Sequence, residues 1–197
     1  MRSVIAILVL GAAVFTSARG QEVEVTTVNF TNVRAPTGSN GTWVQTEITL
    51  NVKAVPGNPS QMVSRVRVSL LLGFELPATA GAERRLDHYR SEAECVALEP
   101  GRAYLRFYLP PELVKRDQLH GDPKYWGIEL AVAGRALPSA RAAYAPTLAS
   151  AEQRKNFQTR GGAAAAINDG ILLPQYLTPF VDEYPRATPS FVRRDAR

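Results

Sequence analysis

The chain has 197 residues, 23 basic against 18 acidic side chains for a formal charge of +5, and a single cysteine. That length suits one domain with extensions and is ample for a core. The mild charge, with no basic stripe interleaved with aromatics, argues against nucleic-acid binding, and one cysteine excludes a disulfide within the chain.

The first twenty residues read as an address. Arg2 gives a positive start, Val4 to Phe15 is an apolar run, and Ala18-Arg19-Gly20 fits the small-x-small cleavage rule. Residues 1–20 are therefore expected to be a signal peptide, with Gln21 as the mature start. The run is shorter than the roughly 20 residues a membrane span needs. No later segment is apolar enough to cross, so no integral span is expected after signal removal. Arginine far outnumbers lysine and alanine is abundant, which hints at a GC-rich bacterial genome.

Glu22 to Val33 opens the mature domain as a strand. Val23 and Val25 share one parity and Val28 and Phe30 the other, so either a bulge near Thr26-Thr27 lets both pairs face the core or the strand switches sheets there. Arg34 to Gly41, with Pro36, Gly38, Asn40 and Gly41, is expected to be a loop. Trp43 to Val55 alternates cleanly, with Val44, Ile48, Leu50 and Val52 on one side and Gln45, Glu47, Thr49 and Asn51 on the other. After the turn at Pro56-Gly57-Asn58-Pro59 comes Met62 to Leu76. Its even positions are apolar but for Ser64, and Arg65 and Arg67 stand on the wet side, with Glu47 and Glu75 as expected partners. These two runs are expected to form a hairpin.

Pro77 to Arg85 is a small-residue loop. Asp87-His88-Tyr89 contains a histidine beside a carboxylate, but neighbouring residues cannot assemble a triad alone. Glu92 to Leu98 and Ala103 to Leu109, joined by Glu99-Pro100-Gly101-Arg102, read as a second hairpin. Cys95 has Ala93 and Ala97 at the same parity and reads as a buried, inert thiol. Pro110-Pro111 ends the strand, and Glu112 to Arg116 is expected to make one helical turn. His120 and Asp122 lie in a polar loop, and two such ligands without a third make no metal site. Tyr125 to Ala133 is the last strand, with Trp126, Ile128, Leu130 and Val132 inward.

Six or seven strands before position 140, without intervening long helices, imply an immunoglobulin-like antiparallel β-sandwich over residues 21–146. Trp43 and Trp126 compete for the core-tryptophan role. The period then changes. In residues 147–170, Ser150 and Gln153 form a capping-box pair opening a helix over Ala151 to Arg160, which Gly161-Gly162 is expected to stop. An alanine patch follows. Residues 171–197 form an apolar, proline-punctuated tail. Ile171, Leu172, Leu173, Tyr176, Leu177 and Phe180 are its candidate partner-binding residues. Two readings stay open: the tail wraps its own sandwich, or it docks on a partner.

The order of these segments carries a resemblance. A signal peptide precedes Trp43-Val44-x-Thr46-x-Ile48-x-Leu50-x-Val52. Next come Arg65-Val66-Arg67-Val68 and Pro110-Pro111-Glu112-Leu113-Val114-x-Arg116-Asp117, and finally Asn168-Asp169-Gly170-Ile171-Leu172-Leu173-Pro174. This looks like secreted immunoglobulin-like proteins of verrucomicrobial bacteria associated with type IV pilus-like gene clusters. The resemblance implies a binding or structural role in the envelope or a pilus-related assembly. Val4 to Phe15 is shorter than the packing helix of a pilin subunit, which points to an accessory protein and not a shaft subunit.

The expected function is thus a non-enzymatic interaction protein, exported to the periplasm, outer envelope or medium, whose partner is another envelope or extracellular protein. No catalytic residue, cofactor or metal is assigned. A carbohydrate-binding module using Tyr104 and Tyr108 is the alternative. A hydrolase using His88 or His120 lacks any supporting motif.

Overall fold

The computed structural model describes residues 22–36, 41–54, 57, 59–77, 85–119, 121–183 and 188–193. The expected signal peptide and His120 lie outside the described residues. Eight strands form two antiparallel sheets, packed face to face. Sheet I runs β1 (Val23–Arg34), β2 (Thr42–Val52), β5 (Gly101–Leu109) and β8 (Leu173–Pro174). Sheet II runs β4 (Leu86–Leu98), β3 (Val63–Glu75), β6 (Tyr125–Val132) and β7 (Arg135–Ala136). The immunoglobulin-like sandwich is therefore present, with one departure from the constant-domain order. There the fourth strand joins the first sheet; here β4 stays beside β3.

The core follows from strand alternation. Ile48, Leu50, Leu105 and Phe107 of sheet I face Val66, Val68, Leu70, Leu72 and Ile128 of sheet II, all buried. The bulge stands where the parity switch requires it: Val25 pairs with Leu50 but Thr27 with Thr49, so Thr26 is the extra residue. Val28 and Phe30 thereby return to the core side, and Phe30 lies 6.0 Å from the Trp126 ring.

Neither expected hairpin forms. β2 and β3 belong to different sheets, and so do β4 and β5, so both connections cross the sandwich. The actual hairpins are β1–β2 and β3–β4. Partner carboxylates change accordingly. Arg65 pairs with Glu94 at 2.6 Å and Arg67 with Glu92 at 3.8 Å, both on β4. Glu75 instead meets Lys124 at 2.8 Å.

Short helix α1 (Pro111–Arg116) begins on proline at its first position, where no amide donor is needed. Its end anchors the core. Tyr89 Oη donates to Asp117 at 2.9 Å, and Asp117 is gripped in two-toothed fashion by Arg116 at 2.8 and 2.7 Å. Arg116 holds the Asp117 carboxyl below its usual range, and burial raises the Tyr89 phenol.

The C-terminal third covers both outer faces. Ser150 and Gln153 form the complete capping box of α2 (Ala151–Asn156). The helix does not stop at Gly161-Gly162. It continues through a π-turn (Phe157–Gly161), α3 (Gly162–Ala164) and a 3-10 turn (Ala165–Asn168). Gly161 lies flat on sheet II, where a Cβ would come within 2.9 Å of His88 Cδ2. The glycine read as a terminator is a contact surface.

Candidate functional site

The six tail residues lie mostly on the chain's own sandwich. Leu172 and Phe180 are buried, Ile171 and Tyr176 pack partly against the core, and Leu173 packs on a second apolar cluster. Leu177 alone projects, 60% exposed. Phe180 stacks on Tyr108 with ring centroids 4.4 Å apart and planes 6° apart, and meets Trp43 edge-on at 5.6 Å. Both rings belong to the outer face of sheet I, so Trp43 serves this cluster and not the sandwich core. Tyr108, expected to offer a sugar platform, lies wholly beneath the tail.

Polar contacts tie the same cover down. Gln175 Nε2 donates to the carbonyls of Phe180 and Glu183, both at 2.9 Å. Arg106, its side chain 4% exposed, donates through Nε and Nη2 to Glu47 Oε2 at 2.9 and 2.8 Å, and through Nη1 to Thr188 Oγ1 at 3.2 Å. Further on, Val96 N donates to Ser190 O at 2.9 Å and Val192 N to Glu94 O at 2.7 Å, so the tail also pairs with β4.

These pairings decide which sheet edges stay open. The outer edge of β5 is taken by β8 at Phe107 and Tyr108, and that of β4 by Ser190–Val192 at Glu94 to Val96. The edge of β6 is taken by β7, by Tyr144 opposite Gly127, and by Ala145 N donating to Trp126 O at 2.9 Å. β1 is different. Its first valines are buried and the Arg141–Ala143 turn packs alongside. Yet among the described residues no backbone hydrogen bond reaches its outer side. From Thr27 to Val33 the strand is Thr-Val-Asn-Phe-Thr-Asn-Val, uncharged throughout and exposed at Thr27, Asn29, Thr31 and Asn32.

Natural edge strands are usually blunted by charge, proline or a covering segment. This one has a bulge at Thr26, before the open stretch, and none of the other devices within it. The uncharged run between Glu24 and Arg34 was readable in sequence; its position at an edge was not, because alternation reports faces and not neighbours. Beside it, the outer side of β1 and β2 carries a groove of about 620 Å³ lined by Thr31, Val33, Gln45, Glu47 and Asp122, among others.

The residues considered for chemistry are dispersed. Asp87 is aligned with Phe74 and His88 with Gly73, on opposite sides of the strand. His88 packs at 5.9 Å from Phe157, and burial lowers its pKa while Asp87 pulls it up. Cys95 is buried and unbridged, its thiol pushed up to about 12 mainly by burial. Among the described residues no helix is long and apolar enough to cross a membrane.

No protein-family model matches the chain, and no curated protein matches it. A crystal structure from Akkermansia muciniphila, a verrucomicrobial bacterium, is similar at a TM-score of 0.68 and 18% identity, over 89% of this chain and 95% of that one. At that identity the likeness speaks for the fold.

Proposed function

We propose that the chain is an exported, non-enzymatic interaction protein of the bacterial envelope, and that it binds by accepting a strand of another envelope protein along β1. The observation that carries this reading is selective edge protection. The chain lays its own segments on the outer edges of β4 at Glu94–Val96, of β5 at Phe107–Tyr108 and of β6, and leaves the outer side of Thr27–Val33 of β1, opposite its β2 pairing, without a backbone hydrogen bond among the described residues. Strand addition supplies affinity through main-chain hydrogen bonds, and an uncharged Thr/Val/Asn/Phe edge opposes it least. A pilus-associated accessory role is the finer form of this reading, supported by the resemblance in segment order.

Photo-crosslinking in the native cells tests it. A benzophenone side chain at Thr31 should capture one discrete partner in the envelope fraction, while the same group at Glu152 on α2 should not. No adduct at Thr31, or equal adducts at both positions, rejects strand addition.

Carbohydrate binding keeps one observation in its favour. Tyr104 is half-buried beside a groove of about 410 Å³ that also involves Asn29, Thr49, Asn51 and Arg102. It has lost its second ring to Phe180, so a glycan array is expected to return no Tyr104-dependent hit.

A further inference from the structure

The groove beside the open edge has its own chemistry. Gln45 is 6% exposed, and its Oε1 is buried with no hydrogen-bond donor among the described residues. A buried amide acceptor left unmet is costly, and in a native chain it calls for an explanation. Two positions along β2, Glu47 receives both Arg106 donors on Oε2, and no described donor reaches its Oε1. Asp122, exposed on the loop before β6, lines the same groove. Arg106, which reaches Glu47 from β5, is already committed to that carboxylate. What the groove offers is therefore acceptors and, at Asp122, a carboxylate with no ion pair among the described residues.

We infer that this groove receives a lysine or arginine side chain from the strand that pairs with β1. The inference rests on the strand-addition reading and adds the identity of one partner residue. Geometry selects the long cations. Thr31 of β1 is aligned with Gln45 of β2, so an added strand stands two strand spacings, about 9.5 Å, from Gln45. Shorter donors such as serine or asparagine do not span that distance. A lysine or arginine stem can lie across Thr31 and Val33 with its head toward Gln45, Glu47 and Asp122. Sugars are a poorer match, because no free aromatic face lines the groove: Phe30 is engaged with Trp126.

Fluorescein-labelled nine-residue peptides of alternating threonine and valine, with arginine, glutamine or glutamate at the centre, provide the probe. Fluorescence anisotropy should show the arginine peptide binding about tenfold more tightly than the glutamine peptide, and the glutamate peptide weakest. The double variant Gln45→Leu, Asp122→Asn leaves the Arg106–Glu47 pair intact. It should bind all three peptides alike, at the glutamine level. Equal binding of the three peptides to the natural chain overturns the cation pocket while leaving strand addition standing. No binding of any peptide, with no Thr31 adduct, overturns both. Arginine preference that survives in the double variant places the cation elsewhere and also overturns this assignment.

Discussion

His88 shows how one buried ring sets a pH response. It lies under the helical layer, its Nδ1 buried without a hydrogen-bond partner among the described residues, while Asn168 Nδ2 donates to its carbonyl at 2.9 Å. Its folded pKa is below the ordinary 6.5 because burial disfavours the charged ring. Between those two values the unfolded chain binds a proton that the folded chain does not, so stability rises with pH across that window and falls on acidification. The melting temperature should drop as pH is lowered from about 7 to about 5.5, and His88→Gln should flatten that slope. Identical slopes in the two proteins would exclude His88 as the source. The same side chain, read from sequence as a neighbour of Asp87, could not be placed further, because adjacency along a strand sends two residues to opposite faces.

At the scale of elements, what was legible is what local chemistry fixes. The proline-started turn α1 and the Ser150–Gln153 cap each depend on a few consecutive residues and form as read, and of the two readings open at Thr26-Thr27 the bulge is the one that forms. Pairing was not legible, since β2 and β3 alternate equally well as a hairpin or as strands of facing sheets. Nor was the meaning of Gly161-Gly162. Glycine ends helices by adopting a left-handed turn, but both residues here keep helical angles, with φ of −66° and −61°. Their roles differ. A methyl at 161 meets His88 and Leu71, at 2.9 and 3.2 Å, whereas one at 162 meets nothing within 4 Å. Gly161→Ala should therefore destabilise the protein by about 1–3 kcal/mol through overpacking. Gly162→Ala should stabilise it, by up to about 1 kcal/mol, through helix propensity. Urea unfolding of both variants checks the pair, and a shared sign would contradict the packing argument.

For the molecule as a whole, the tail is part of the domain. Its sequence showed that it was apolar and extended, but not which surface it would meet, because Trp43 read as a candidate core tryptophan and Tyr108 as an outward-facing strand residue. Leu172 and Phe180 each bury a side chain whose burial is worth roughly 1.5–3 kcal/mol, against a typical total of about 5–15 kcal/mol. Deleting residues 171–197 also bares the outer edges of β4 and β5. The truncated chain should melt at a lower temperature and scatter light increasingly with concentration. An unchanged melting curve with a monodisperse monomer would show that the cover is dispensable.

The pairing of Phe191 with Cys95 has a consequence for biogenesis. Protein synthesis runs from the N-terminus, so β4 leaves the ribosome long before the strand that seals its margin exists. Until then the half-made chain keeps two raw margins and a bare aromatic shelf. Arrival of the C-terminal segment, and not formation of the first hairpins, is what closes these surfaces.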